Sequence, residues 1–211
     1  MKLTVLLDNN TLIDRYFLGE PAVSYFIEAD GKRILFDVGY SETFIRNAQK
    51  LNVNLLDVDF LVFSHGHLDH TWGIFPLIQL YTEGIIEQRE VKHPRLIAHP
   101  GVLKSKKYRN IPEIGSLLSE EKLTGFFDLG FSREPVQLTE RLLFLGEIEK
   151  TTDFEAQAPL GLIVENGEQR GDTLLDDSAI VYKSPRGLVI ITGCSHSGIC
   201  NNYRICKKGE W

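Results

Sequence analysis

The sequence predicts an α/β sandwich with mixed sheets, and three observations carry that prediction. Short apolar runs of strand length outnumber segments of helical spacing, the helical segments interrupt the first half, and no linker divides the 211 residues. A chain of this length can build one sizeable core, so residues 1–211 are expected to form a single domain.

Residues 3–7, 23–29 and 33–37 read as strands, with Asp30-Gly31 supplying a tight hairpin between the second and the third. Ser41 is placed to cap a helix in which Phe44, Ile45, Ala48 and Leu51 recur at helical spacing and Asn52 lies near the end. Residues 58–63 are a nearly continuous apolar run, the pattern of a strand covered on both faces, which delivers a histidine-rich run at its C-terminal end. Beyond it the spacing predicts a helix over 72–81, a strand over 95–98 and a helical piece over 117–123. Strand signals return at 142–145, 160–164, 179–182 and 188–192, separated by Gly, Asp, Asn and Pro clusters. Leu61-Val-Phe-Ser-His65 and Ile190-Ile-Thr-Gly-Cys-Ser-His196 each run from apolar residues through small ones to a histidine. Two sheets are therefore expected to present ligands to one cleft.

The hydrophobic share of 43% and charged share of 25% are ordinary for a globular chain and disfavour disorder. A net charge of −6 disfavours nucleic acid as a partner, because phosphate binding needs clustered Lys and Arg to displace counterions. The best candidate for a basic patch is Lys104, Lys106, Lys107 and Arg109, read either as a solvated face or as a hold for one anionic group of a small substrate. No stretch approaches the ~20 apolar residues that span a bilayer, and the start turns polar too soon for a signal peptide, so no membrane contact and a cytoplasmic location are expected. Cys194, Cys200 and Cys206 are odd in number and crowded at one end, which suits reduced thiols.

The chemistry is concentrated in Ser64-His-Gly-His-Leu-Asp-His70, which holds three of the six histidines. Neutral imidazoles and carboxylates hold zinc, iron or manganese when several lone pairs converge on one point. In extended chain His65 and His67 point to one side, and Gly66 between them lets the backbone bend close to an ion. Asp69 and His70 follow where the chain turns into a helix and can serve a second ion. His196, flanked by the small residues Gly193, Cys194, Ser195, Ser197 and Gly198, would supply a third nitrogen to the first ion. Asp37, ending the strand that leads to Gly39, is read as orienting a metal-bound histidine from outside the ligand shell. His99 is a candidate substrate contact, His93 reads as ordinary loop, and Cys194 as a small buried neighbour rather than a ligand. There is no Gly-x-Ser-x-Gly elbow to support serine-nucleophile chemistry.

The run His65-Gly-His-Leu-Asp-His70 resembles the His-x-His-x-Asp-His motif of the metallo-β-lactamase superfamily, which follows a buried strand. The segments Phe63-Ser-His-Gly-His-Leu-Asp-His-Thr-Trp-Gly73 and Thr192-Gly-Cys-Ser-His-Ser-Gly198 resemble a branch that includes dihydropterin-linked ribofuranosylaminobenzene phosphate synthases. The resemblance implies an αββα sandwich of two mixed β-sheets flanked by helices, and Asp37 and His196 match that family's earlier aspartate and later histidine. It also implies further strands, helices and a further histidine past the His196 segment. The chain is thus expected to lack the fold's last elements, with no apolar strand in residues 201–211 to finish a sheet and a second ion short of ligands.

Motif and resemblance together imply a metal-dependent hydrolase in which a metal-activated water attacks a small molecule, phosphorylated or heterocyclic. One or two divalent ions are expected, zinc first, with manganese or iron as alternatives, and Asp69 is the candidate catalytic residue, accepting the water's proton. A catalytically weak metal-binding protein of the same fold and a nuclease-like phosphodiesterase are the rival readings, the latter disfavoured by the acidic charge. The flavodiiron branch is disfavoured because it carries glutamate where His67 stands. The sequence sets no oligomeric state.

Overall fold

The computed structural model describes residues 1–209 apart from Gln157 and Asn166; Glu210 and Trp211, at the end of the expected terminal tail, lie outside the described residues. The strands of the first half are β1 (Lys2–Leu7), β2 (Ser24–Ala29), β3 (Lys32–Phe36), β4 (Phe60–Val62), β5 (Arg95–Ala98) and β6 (Ser105–Lys107). Those of the second half are β7 (Asp128–Phe131), β8 (Val136–Gln137), β9 (Leu142–Phe144), β10 (Leu162–Glu165), β11 (Glu168–Gly171), β12 (Ala179–Ser184) and β13 (Gly187–Thr192). The helices are α1 (Thr43–Lys50), α2 (Leu68–Thr71), α3 (Ile74–Ile86), α4 (Glu120–Leu123) and α5 (Ile199–Lys208). The fold is thus mixed α/β, with several sheets and few helices.

Contacts divide the chain into two compact units, the first comprising Met1–Phe63, Leu68–Ile97 and Leu118–Gly130. Its centre is a six-stranded sheet in the order β1-β2-β3-β4-β5-β7. β1, β2 and β3 are antiparallel; β3, β4 and β5 are parallel, with helices in the crossovers. Asp30 and Gly31 take φ of 51° and 75°, the paired positive values a two-residue hairpin needs. Leu61 and Val62 of β4 are fully buried, as expected of an apolar run in the parallel part of a sheet.

The start of α1 differs by one residue from expectation. Glu42 occupies the N-cap without a side-chain bond, while the Ser41 hydroxyl accepts the Thr43 N–H at 3.2 Å. α3 runs five residues past the expected end at 81. Thr82, Glu83 and Gly84 dilute the apolar pattern there but do not break a helix, and Gly84 sits where a Cβ would meet Val91 at 2.8 Å. The helical piece expected at 117–123 is the single turn α4, anchored by buried Leu123.

The second unit comprises Ser64–His67, Ala98–Leu117 and Phe131–Trp211. It holds a four-stranded antiparallel sheet, β13-β12-β9-β8, and a three-stranded antiparallel sheet, β11-β10-β6. Leu143, Leu145, Ile148, Ala179, Val181 and Cys206 form a core cluster against which Ile190 and Ile205 pack. Within the tail read as lacking a strand, residues up to Lys208 belong to the helix α5, which lies against β13 and buries Cys206.

The basic patch is corrected. Residues 105–107 form β6, and Lys106 is fully buried between Asp172 and Asp176, at 2.9 and 2.7 Å, rather than on a solvated or ligand-holding face. Of its companions, Lys104 pairs with Glu165 and Arg109 lies over the Tyr108 ring.

Candidate metal centre

Residues 64–67 follow β4, and His196 follows β13, so each histidine segment begins where a strand runs out of ladder partners. His65 and His67 are buried and His196 is partly buried. Their ring centroids lie 4.6 Å (His65 to His67), 4.8 Å (His65 to His196) and 5.0 Å (His67 to His196) apart. The ring planes meet at 78°, 75° and 79°, so the three imidazoles face one another edge-on. One nitrogen from each falls within 4.8 Å of the others, and His65 Nε2 lies 3.0 Å from His67 Nδ1. Nitrogens bound tetrahedrally at about 2.0–2.1 Å from zinc stand roughly 3.4 Å apart, so this donor set fits a zinc-sized ion with little movement.

Local chemistry fixes the orientation. His65 Nδ1 lies 3.0 Å from the Ser64 hydroxyl, which turns Nε2 toward His67. A Cβ on Gly66 would come within 2.3 Å of the Val102 carbonyl oxygen, so no side chain fits between the two histidines. Ser195, immediately before His196, holds φ of 58°, a left-handed value that non-glycine residues adopt at a cost of about 1–3 kcal/mol.

Asp69, His70 and Asp37 fall in the first unit. His70 Nδ1 lies 2.7 Å from Asp37 Oδ2, both groups buried, and His70 Nε2 is 3.4 Å from Asp69 Oδ2. Asp37 therefore does meet a histidine of the motif. Its own φ is 55°, and Val38 N–H donates to the His70 carbonyl at 3.1 Å, so side chain and backbone join the end of β3 to α2. Asp69 keeps 31% of its side chain exposed.

His99, the candidate substrate contact, is buried. Its Nδ1 accepts the Gly101 N–H at 2.9 Å and its Nε2 lies 3.1 Å from Glu147 Oε2, so both ring nitrogens are engaged. Burial lowers its pKa below the ordinary histidine value, against the opposing pull of Glu147. His93 is exposed near Asp128, as ordinary loop. Cys194, expected as a buried neighbour, is exposed, as is Cys200, and burial pushes the Cys206 thiol up to about 11.

Sequence reasoning missed Asp176, Asp177 and Lys106. Asp176 Oδ2 accepts the Gly66 N–H at 2.8 Å, and Asp177 Oδ2 accepts the Ser197 N–H at 2.8 Å. Burial pushes the Asp177 carboxyl up to about 6, while its bonds from Ser197 and the His196 backbone pull the other way. The available signal was a pair of carboxylates standing directly before an apolar strand, where turn chemistry alone needs only one.

The profile of the metallo-beta-lactamase superfamily matches residues 18–194, and the chain belongs to that superfamily. His65, His67, Asp69 and His70 lie inside the matched region, and His196 lies just beyond it. The chain is 34% identical over 199 residues to the 7,8-dihydropterin-6-methyl-4-(beta-D-ribofuranosyl)-aminobenzene-5'-phosphate synthase of Methanocaldococcus jannaschii, covering 87% of this chain. It spans 64% of that relative's length. A second protein of the same organism, uncharacterized MJ0448, is 28% identical over 208 residues, covering 97% of this chain and 73% of its own length. Among solved structures, Tm1679, a metal-dependent hydrolase of the beta-lactamase superfamily, superposes with a TM-score of 0.77 at 25% identity, covering 99% of this chain and 72% of that one.

Proposed function

We propose that this chain is a metal-dependent hydrolase acting on a small molecule, with His65, His67 and His196 as the ligands of a divalent ion, zinc foremost. The observation that carries the reading is the convergence of three edge-on imidazoles with one nitrogen each inside 4.8 Å. Asp69 and His70 are proposed as ligands of a further ion, with Asp37 fixing the His70 ring through its 2.7 Å contact. A bound divalent ion supplies a Lewis acid and a water acidified to a pKa of about 7, a nucleophile at neutral pH. The Ser64 hydroxyl holds the His65 ring in one orientation, and Gly66 keeps the two histidines on a chain too tight to admit a side chain. Asp69, partly exposed, accepts the proton released by the attacking water.

The named hydrolase with a TM-score of 0.77 supports hydrolysis as the reaction class. A second reading rests on the 34% identical relative, a synthase whose named product is a phosphorylated ribofuranosyl-aminobenzene joined to a pterin. Zinc- or manganese-loaded protein should hydrolyse phosphodiester or lactone substrates, and His67→Ala should abolish that turnover. Turnover retained in His67→Ala would overturn the assignment. Product formation from a dihydropterin carrying a leaving group (a diphosphate ester) on its 6-methylene carbon and a ribofuranosylaminobenzene phosphate, with release of diphosphate, would favour the synthase reading.

A further inference from the structure

The segment that follows β11 reaches both histidine loops through three successive residues. The Asp176 side chain accepts the Gly66 N–H at 2.8 Å, between His65 and His67. Next to it, Asp177 accepts the Ser197 N–H at 2.8 Å, one residue past His196. Ser178 then donates its backbone N–H to the Ser64 carbonyl at 2.8 Å, one residue before His65. The same segment is tied to itself: Asp177 N–H donates to the Leu174 carbonyl at 3.2 Å, and Leu174 N–H to Asp172 Oδ1 at 2.8 Å.

Asp176 is also bound on its far side. Its Oδ1 accepts from Lys106 Nζ at 2.7 Å, and that ammonium lies 2.9 Å from Asp172 Oδ2, all three side chains being buried. A buried ion group of this kind is poor value for stability alone, because desolvation offsets much of the attraction. What it does secure is geometry, since an ammonium on one oxygen fixes which way the other oxygen points.

We propose that residues 176–178 are the positioning segment of the histidine site, with Lys106 as the fixed counter-charge that aims Asp176 at Gly66. Held by adjacent residues of one chain segment, the loops of His65, His67 and His196 keep their mutual spacing before any ion binds. The proposal rests on the reading of those histidines as ligands. Asp176 and Asp177 act through the backbone that carries the histidines, by their bonds to the Gly66 and Ser197 N–H groups. Asp172 shares Lys106 and accepts the Leu174 N–H but meets neither histidine loop, so its part is indirect.

Zinc affinity is read by chelator competition, and ligand geometry by the absorption spectrum of the cobalt(II) form. Asp176→Asn cannot face both an N–H and an ammonium with acceptors, and Asp177→Ala has no acceptor, so each should weaken zinc binding roughly 10–100-fold and alter the cobalt spectrum. Asp177→Asn keeps the acceptor for Ser197 and should restore wild-type affinity. Asp172→Asn, which keeps an acceptor for Leu174, should weaken zinc binding less than Asp176→Asn or Asp177→Ala. In metal-free wild type the Gly66 and Ser197 amides should be protected from deuterium exchange.

Wild-type affinity and spectrum in both Asp176→Asn and Asp177→Ala would overturn the proposal, as would equal weakening by Asp172→Asn. Rapid exchange of both amides in the wild type would overturn it too, and that arm stands even if a variant fails to fold. Wild-type protein that binds neither zinc nor cobalt would sink the ligand reading instead, leaving the exchange result to decide what 176–178 holds.

Discussion

His65 and His67 are two residues apart in sequence, yet their spacing depends on what Gly66 lacks. With the Val102 carbonyl 2.3 Å from any Cβ placed there, Gly66→Ala must push the loop outward and separate the imidazoles. We expect Gly66→Ala to lose zinc affinity by at least the roughly 10–100-fold seen when supporting contacts are broken, measured by chelator competition. Asp177 makes a prediction with a sign. An acid whose native pKa is raised holds its proton more tightly folded than unfolded, so its contribution favours the native state below about pH 4 and is lost as pH climbs through 6. In metal-free protein that loss is of order 3 kcal/mol. Denaturant unfolding of wild type and Asp177→Asn at both ends of the window checks it: the wild type should lose stability relative to the variant as pH rises, and a constant difference would contradict it.

Among the elements, those with apolar periodicity were legible and those whose pairing comes from a partner were not. The hairpin at Asp30-Gly31 and the buried strand β4 follow from turn chemistry and from an uninterrupted apolar run. β6 and β11 are Ser-Lys-Lys and Glu-Gln-Arg-Gly, with no apolar residue to announce them; both exist because β10 lies between them. The helix α5 was missed because its buried face is partly polar, with Asn201 and Asn202 buried beside Cys206. Asn201 Oδ1 accepts the Thr151 and Thr152 N–H groups at 2.9 and 3.1 Å, and its Nδ2 donates to the Ser197 carbonyl at 2.8 Å. Such a residue reads as surface in a sequence and acts as a clamp in the fold. Asn201→Ala should cost roughly 2–4 kcal/mol by leaving several buried groups unsatisfied, measurable by chemical denaturation. The site divides in the same way: His65 and His67 lie in one short window and His196 ends a second strand of similar pattern, whereas Asp176 meets Gly66 from 110 residues away, a contact that only folding reveals.

For the whole molecule, the reading of the three-histidine cluster as a metal site makes metal and stability linked quantities. An ion that binds the native chain and not the unfolded one adds about 2.7 kcal/mol at a free concentration 100 times its Kd. Zinc should therefore raise the unfolding temperature in a concentration-dependent way, and a chelator should reverse it; indifference to both would mean no ion binds the native state selectively. None of the helices among the described residues is long and apolar enough to cross a membrane. The net charge of −6 disfavours nucleic acid as a partner. The central claim is that His65, His67 and His196 hold one divalent ion, and metal content per chain after dialysis tests it most directly, in wild type, His67→Ala and His196→Ala. The claim predicts at least one equivalent in the wild type and loss of that ion in both variants; a His196→Ala protein that keeps the wild-type metal content would contradict it.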